Sequence, residues 1–151
     1  AGPTGHPVSR GTDAMHLMTP EDAQTILRDN FAPWVQALDL TVLIFDQARV
    51  QVRMPLGDHL SRVGGIVSGQ ALAALADTTM VLATIAQAQK FKPFATTDLH
   101  TRFLRPGVGT AILCDARVVR AGRALVFAEA DMTEESSGKI VSTATATFYA
   151  P

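Results

Sequence analysis

The chain has 151 residues, which is enough for one domain with a substantial apolar core. Its net charge of -1 at pH 7 excludes a bulk electrostatic attraction to nucleic acid or to an anionic membrane, so we expect neither as a partner. The single cysteine, Cys114, excludes an internal disulfide and a multi-cysteine zinc site. A composition of 47% hydrophobic and 18% charged residues fits a compact protein that also buries surface in an oligomer, and the cytoplasm is the simplest location.

The N-terminal segment lacks the apolar stretch of a secretion signal. Residues 1 to 17 are rich in Gly, Pro and polar residues, and Met15 or Met18 stands where translation of the natural protein could start. We interpret residues 1 to 17 as a mobile tail or a remnant of the expression vector, and residues 18 to 151 as one domain.

Helix and strand signals follow one another along that domain. A Thr-Pro-Glu-Asp sequence at 19 to 22 predicts a helix to about residue 30, because it offers a capping hydroxyl, a first-turn proline and acids beside the positive helix end. Residues 55 to 63 are typical of a polar loop. Runs of β-branched and apolar residues between turn residues predict strands at about 40–45, 48–54, 97–104, 110–120, 123–133 and 140–149.

A long apolar helix is predicted over about residues 66 to 87. It has no polar face, so it must be surrounded rather than laid on a surface. The run from 63 to 89, whose one charged residue is Asp77, is long enough to cross a bilayer, but that central Asp77 and the Gly, Gln, Ser and Thr content favour a buried helix. Consecutive hairpins imply an antiparallel sheet. The predicted fold class is α+β, with about five to six strands wrapped around one long helix and an extra N-terminal helix.

Asp77 is the only charged residue between Arg62 and Lys90, in the middle of that apolar helix. A carboxylate placed there loses hydration, which raises its pKa and suits it to act as a base or a nucleophile. The alternative is a structural aspartate that is satisfied by Thr78, Thr79 or a backbone amide. The isolated charge therefore indicates a catalytic candidate without settling its role.

Three segments carry a resemblance to a known family. They are 64–70 (GGIVSGQ) leading through 73–78 (AALADT), 96–106 (TTDLHTRFLRP), and the pairs Gly122-Arg123, Gly138-Lys139 and Thr147-Phe148. Over about residues 35 to 150 the chain resembles the hotdog-fold acyl-CoA thioesterases of the phenylacetate-degradation (PaaI-like) type. The resemblance implies hydrolysis of an acyl-CoA thioester to a free acid and coenzyme A. It also implies a homodimer with a continuous sheet and with active sites at the dimer interface. We expect a dimer of dimers, and the sequence alone does not distinguish a dimer from a tetramer.

Asp77 stands where this type of thioesterase keeps its catalytic carboxylate, and the resemblance gives the amide near Gly69 the task of polarising the thioester carbonyl. The free amides and positive dipole of a helix N-terminus suit that task. Eight helical residues span about 12 Å, so Asp77 does not reach a carbonyl held by its own Gly69. Two antiparallel helices across a two-fold axis would bring Asp77 of one subunit to Gly69 of the other.

The resemblance also implies a hydroxyl, given by the partner subunit, that orients the attacking water. Thr96 stands at that position, and Thr97 is the alternative. Simple strand alternation places Thr96 on the face of Asp98, away from Leu99, so a bulge or loop at the strand start is needed to turn it. A threonine that merely favours a strand is the plainer interpretation.

Substrate contacts are expected beside the helix start and at basic turns, because coenzyme A carries phosphates that need Arg or Lys. The candidates for substrate binding are Ser68, Gln70, Arg62, Thr97, Arg123 and Arg105. A solvated surface charge is the alternative for each arginine. The sequence departs from the family at three of these positions: Ser68 and Gln70 stand in Ser68-Gly69-Gln70 where the family has His-Gly-Gly, and Arg62 replaces an asparagine.

Those departures keep two other functions open. One is a hotdog protein that binds an acyl ligand without turning it over. The other is a hydratase or dehydratase of the same fold, for which Asp58-His59 is the local acid and histidine pair. No cofactor is expected beyond the coenzyme A of the substrate, and no spacing supports a metal site. Cys114 is expected to be a small core residue rather than a nucleophile.

Overall fold

The computed structural model describes residues 17 to 150, and its main unit is one sheet that wraps a long helix. The helices are α1 (Pro20–Asn30), α2 (Pro33–Gln36) and α3 (Gly69–Ala88). The strands are β1 (Thr41–Phe45), β2 (Val50–Pro55), β3 (Ser61–Arg62), β4 (Ile66–Val67), β5 (Ala95–Phe103), β6 (Ala111–Ala121), β7 (Leu125–Glu134) and β8 (Ile140–Tyr149). The tail predicted over residues 1 to 17 lies outside the described residues, apart from Leu17.

Six strands form an antiparallel sheet in the order β1-β2-β6-β7-β8-β5, and β3 pairs with β4 in a separate hairpin. The predicted architecture, an antiparallel sheet around one apolar helix with a further N-terminal helix, is confirmed. The N-terminal helix begins at the predicted residue because Thr19 and Asp22 form a reciprocal capping box. Its buried residues, Ala23 and Leu27, join the core.

The core lies between α3 and the concave face of the sheet. Leu75, Met80 and Ile85 of α3 have no exposed surface, and Met132 and Phe148 of the sheet are equally buried. Within residues 17–150, α3 is the one helix long and apolar enough to span a membrane, and 67% of its most apolar window is buried inside the protein. The helix is therefore the core helix of a soluble domain, as the prediction for residues 66 to 87 required.

The predicted start of α3 near residue 66 is wrong by three residues, because Ile66 and Val67 pair with β3 instead. Gly64 and Gly65 turn the chain between the two short strands with φ values of +99° and +73°, a region that glycine enters without strain. Ser68 then caps the helix. The segment from 61 to 67, predicted as the end of a loop, a glycine turn and the first residues of the helix, is instead a hairpin that leads into α3.

Strand β5 lies at one edge of the sheet and pairs with β8 on its inner side. The register shifts between Thr96 and Asp98, so that Thr96 pairs with Phe148 and Leu99 with Ala146. Directly paired residues share a face, and Phe148 and Ala146 are buried toward α3. The bulge that strand alternation required is thus confirmed, and it turns Thr96 toward the helix.

Candidate functional site

Asp77 and Thr96 meet at the open edge of the sheet. Asp77 is half-buried in the middle of α3, and Thr96 is exposed at the start of β5. The Thr96 hydroxyl donates a hydrogen bond of 2.8 Å to Oδ1 of Asp77, which leaves Oδ2 free to accept a proton from water. In this chain the hydroxyl and the carboxylate come from one subunit, whereas the resemblance implied a hydroxyl from the partner.

The surroundings of Asp77 favour a protonated carboxyl more than water does. Burial raises the pKa of Asp77, and the hydrogen bond from Thr96 partly opposes that rise. The Thr79 hydroxyl donates to the carbonyl of Leu75 at 2.7 Å, so it does not donate to Asp77 as a purely structural role for Asp77 would require. Asp77 is instead held across the fold by Thr96, and the two form a candidate base with a fixed orientation.

The helix start forms a second feature, two turns before Asp77. Ser68 is the capping residue, and its hydroxyl oxygen accepts from the amide of Ala71 at 3.2 Å. Gly69 is the first helical residue, and the first amides of a helix have no partner within it. Phe103 packs against this turn, since a Cβ atom added to Gly69 would lie 3.1 Å from the phenyl ring. Gly69 thus presents an amide at the positive end of α3.

A cavity of about 390 Å³ opens beside this helix start. It is lined by Arg62, Ile66, Val67, Gly69, Leu72, Phe103, Leu104, Arg105, Pro106 and Gly107. A second cavity of about 340 Å³ shares Gly69 and Phe103 with the first and adds Gln70 and Ala73. The structure therefore brings four predicted site residues together: Gly69, Gln70, Arg62 and Arg105.

Arg123 lies at the other end of the sheet, exposed in the turn between β6 and β7. Leu125 pairs with Tyr149, and Tyr149 pairs with Ala95, so this turn stands at the end where β5 begins. The predicted residues thus fall into two groups within one chain. The carboxylate group is Asp77 and Thr96, with Arg123 in a turn at the same end of the sheet. The helix-start group is Ser68, Gly69, Gln70, Arg62 and Arg105.

Three remaining candidates have structural explanations. The Thr97 hydroxyl donates to the carbonyl of Thr147 at 3.1 Å, which ties it to β8 rather than to Asp77. Cys114 is fully buried, and burial raises the pKa of its thiol to about 12, so the expectation of an inert core cysteine is confirmed. His59 is exposed in the short helix Asp58–Leu60, where its ring packs beside Gly57.

Two residues of the site were missed by sequence reasoning. Phe103 lies in the strand predicted over 97–104 and was not named as a site residue, although strand alternation places it on the same face as Leu99. Glu134 directly follows the strand predicted over 123–133 and was not named either, yet its side chain holds the loop that lines the larger cavity. Local sequence carries no signal for the second, because its partner Val108 is 26 residues away.

Comparison with known proteins fits this geometry. The profile of the family described as "Acyl-CoA thioesterase N-terminal domain" matches residues 59–149. Ta0293, a Thermoplasma acidophilum protein whose name describes it as an esterase, is 23% identical over 117 residues, covering 77% of this chain and 86% of that protein.

Solved structures show the same fold. Zebrafish thioesterase superfamily member 2 superposes with a TM-score of 0.79 at 23% identity, covering 89% of this chain and 99% of that one. The E. coli PaaI protein of the phenylacetic acid degradation operon superposes with a TM-score of 0.76 at 18% identity, covering 89% and 96%. The hotdog fold and the PaaI-like resemblance expected from the sequence are confirmed.

Proposed function

Because the chain belongs to the acyl-CoA thioesterase N-terminal domain family, we propose that it hydrolyses an acyl-CoA thioester to a free carboxylic acid and coenzyme A. The observation that carries this proposal is the hydrogen bond between Thr96, exposed on the edge strand β5, and Asp77, half-buried in the apolar helix α3. A hydrolase needs a group that takes a proton from water near neutral pH. A carboxylate whose pKa is raised by burial meets that need.

The site is completed by a second copy of the chain. β5 is an edge strand, and its apolar residues Leu99 and Phe103, on the helix-facing side, remain 37% and 54% exposed in the single chain. An exposed apolar edge strand is suited to pairing with another strand. Antiparallel pairing of β5 with the same strand of a second copy across a two-fold axis covers these two side chains and extends the sheet. Because the two groups stand at opposite ends of β5, this pairing brings the helix-start group of one subunit to the carboxylate group of the other.

In the proposed reaction, water attacks the thioester carbonyl carbon while Asp77 accepts its proton, or Asp77 attacks directly and water then hydrolyses the anhydride. Negative charge develops on the carbonyl oxygen, where the amide of Gly69 of the partner subunit stabilises it. The carbon–sulfur bond breaks, and the thiolate of coenzyme A takes up the proton. Thr96 keeps Asp77 oriented, so that Oδ2 faces the water.

Coenzyme A would be held through its phosphates. Arg62 and Arg105 border the cavity beside Gly69, and Arg123 lies in the turn at the end of the sheet where β5 begins. In the proposed dimer these cations come from both subunits and surround one site, which suits the pyrophosphate and the 3′-phosphate. Ser68 and Gln70 would contact the substrate beside the carbonyl, and the apolar side chains around Phe103 would receive the acyl group.

The experiment is a thiol-release screen of short, long and aryl-acetyl thioesters with the parent, Asp77→Asn and the control Asp98→Asn. Asp98 is exposed on the outer face of β5, the strand that carries Thr96. Its replacement should therefore leave kcat within about twofold of the parent value. Asp77→Asn should lower kcat by about a hundredfold to ten-thousandfold. Equal turnover by Asp77→Asn and the parent across the panel would overturn the proposal.

One observation favours a second candidate, an acyl ligand binder without turnover. The helix start carries Ser68 where the resemblance implies a histidine, and the Ser68 oxygen is already used as a cap. Tight binding of acyl-CoA by the parent, without thiol release from any thioester of the panel, would favour this candidate.

The proposal includes two broader expectations. The dimers pair as a dimer of dimers, and the protein acts in the cytoplasm. The buried core helix and the single buried thiol support a soluble protein in a reducing compartment. Sedimentation of the full chain at several concentrations measures the assembly.

A further inference from the structure

Glu134 is a carboxylate with an inward side chain at the end of β7. Only 8% of its surface is exposed, and it pairs with Ile112 on the helix-facing side of the sheet. Both of its oxygens are used: Oε1 accepts from the amide of Val108 at 3.0 Å, and Oε2 accepts from the Ser137 hydroxyl at 2.6 Å. Burying a charged group in this way requires such partners.

The amide of Val108 belongs to the same peptide group as the carbonyl of Gly107. That carbonyl accepts from the amide of Val67 at 3.1 Å. Val67 directly precedes Ser68, the residue that caps α3. A single peptide group therefore connects the carboxylate of Glu134 to the residue that leads into the helix start. Hydrogen bonding at the amide end polarises the peptide and strengthens its carbonyl as an acceptor.

Packing fixes the same connection. Gly107 is buried, and a Cβ atom added to it would lie 2.6 Å from Cγ1 of Val67, so a larger residue at 107 would displace the Val67 side chain. The loop that contains Gly107 also lines the larger cavity with Arg105. The Ser137 hydroxyl and then the Val108 amide lower the pKa of Glu134, with smaller contributions from nearby basic side chains, so the carboxylate is ionised at neutral pH.

We propose that Glu134 is a positioning residue for the helix start: through the 107–108 peptide it holds Val67, and thereby sets the direction in which the Gly69 amide points. This inference rests on the proposed thioesterase function. Glu134 touches no reacting atom. Its effect is transmitted through the peptide, and small displacements of a catalytic donor have large effects on rate.

The test compares Glu134→Ala and Glu134→Gln with Glu135→Gln. Glu135 is the adjacent carboxylate, exposed and paired with Arg53 at 2.7 Å, so its variant controls for loss of a charge. Glu134→Ala should lower kcat by about tenfold to a hundredfold and change KM little, because the oxyanion donor is misplaced. Glu134→Gln keeps an acceptor for the Val108 amide and should recover most of kcat.

Gly107→Ala provides an independent approach to the same contact. It should lower kcat like Glu134→Ala, and the double variant should lose less than the product of the two single effects, since both act through one peptide. A kcat for folded Glu134→Ala equal to that of Glu135→Gln, or full additivity of the double variant, would overturn the inference.

A measurement that does not depend on catalysis tests the positioning role of Glu134 separately from the proposed thioesterase function. Hydrogen exchange of the amides in residues 61 to 69 should be faster in Glu134→Ala than in the parent, and unchanged in Glu135→Gln. Unchanged exchange in Glu134→Ala overturns the positioning role even if the parent is active. Absence of turnover by the parent overturns the proposed function alone, because the exchange measurement still decides the role of Glu134.

Discussion

The start and the middle of α3 differ in what one chain supplies. The carboxylate group is assembled within a single subunit, because Thr96 already holds Asp77. The helix-start group presents an amide, two arginines and a cavity, but no base. A hydrolase needs both a base and an oxyanion donor, and each of these two regions has one of them. About 12 Å of helix separates Gly69 from Asp77. The amide and the carboxylate are thus separated along one helix, and in the proposed dimer one subunit supplies the amide while the other supplies the carboxylate.

The largest expected effect on kcat comes from removing the amide hydrogen of Gly69 at the helix start. Gly69→Pro removes the amide hydrogen at a helix position that tolerates proline, whereas Gly69→Ala makes the same contact with Phe103 and keeps the hydrogen. Gly69→Pro should lower kcat by about a hundredfold to a thousandfold relative to Gly69→Ala.

Mixing Gly69→Pro subunits with Asp77→Asn subunits should restore turnover. A dimer with one subunit of each kind has one intact site, so an equal mixture that exchanges freely should show about one quarter of the parent activity. Complete absence of recovery in verified mixed dimers would mean that both groups act within one subunit.

The next effect tests the carboxylate end alone. The proposed reaction needs ionised Asp77. Activity is therefore present at pH values above the pKa of Asp77 and is lost as the pH falls through that pKa. Thr96→Val removes the hydrogen bond that lowers this pKa, and the acid limb of kcat/KM should move to higher pH, with about a tenfold loss at neutral pH. Thr97→Val, which loses only the bond to Thr147, is the control. An unmoved acid limb in Thr96→Val would contradict the assigned role.

The smallest effect concerns the helix-start end. Ser68→Ala removes the cap and should lower the free energy of unfolding by about 1 kcal/mol, measured by urea denaturation. The hydroxyl hydrogen of Ser68 is still free to donate to substrate, so KM should also rise by about threefold. Ser61→Ala, which removes a hydrogen bond from the Ser61 hydroxyl to the carbonyl of Gly57 at the start of the neighbouring hairpin, is the control. A KM equal to that of the control would restrict Ser68 to capping.

The comparison also shows which parts of the site sequence reasoning could reach. Asp77 could be identified because a single charged residue within a long apolar segment is visible in the order of the amino acids alone. Thr96 required a bulge, and a bulge depends on pairing with β8, which strand alternation does not contain. The hairpin from 61 to 67 was missed because Gly64 and Gly65 indicate a turn without indicating that their flanks pair. Glu134 was missed because its contacts are distant in sequence.

The burial of Cys114 has a practical consequence. It is the only thiol of the chain, it has no exposed surface, and burial raises its pKa to about 12. A thiol-reactive dye added to the folded protein should therefore detect released coenzyme A without background from the enzyme. The same residue reports on structural opening, because its rate of alkylation measures how often the core between α3 and the sheet becomes accessible to solvent.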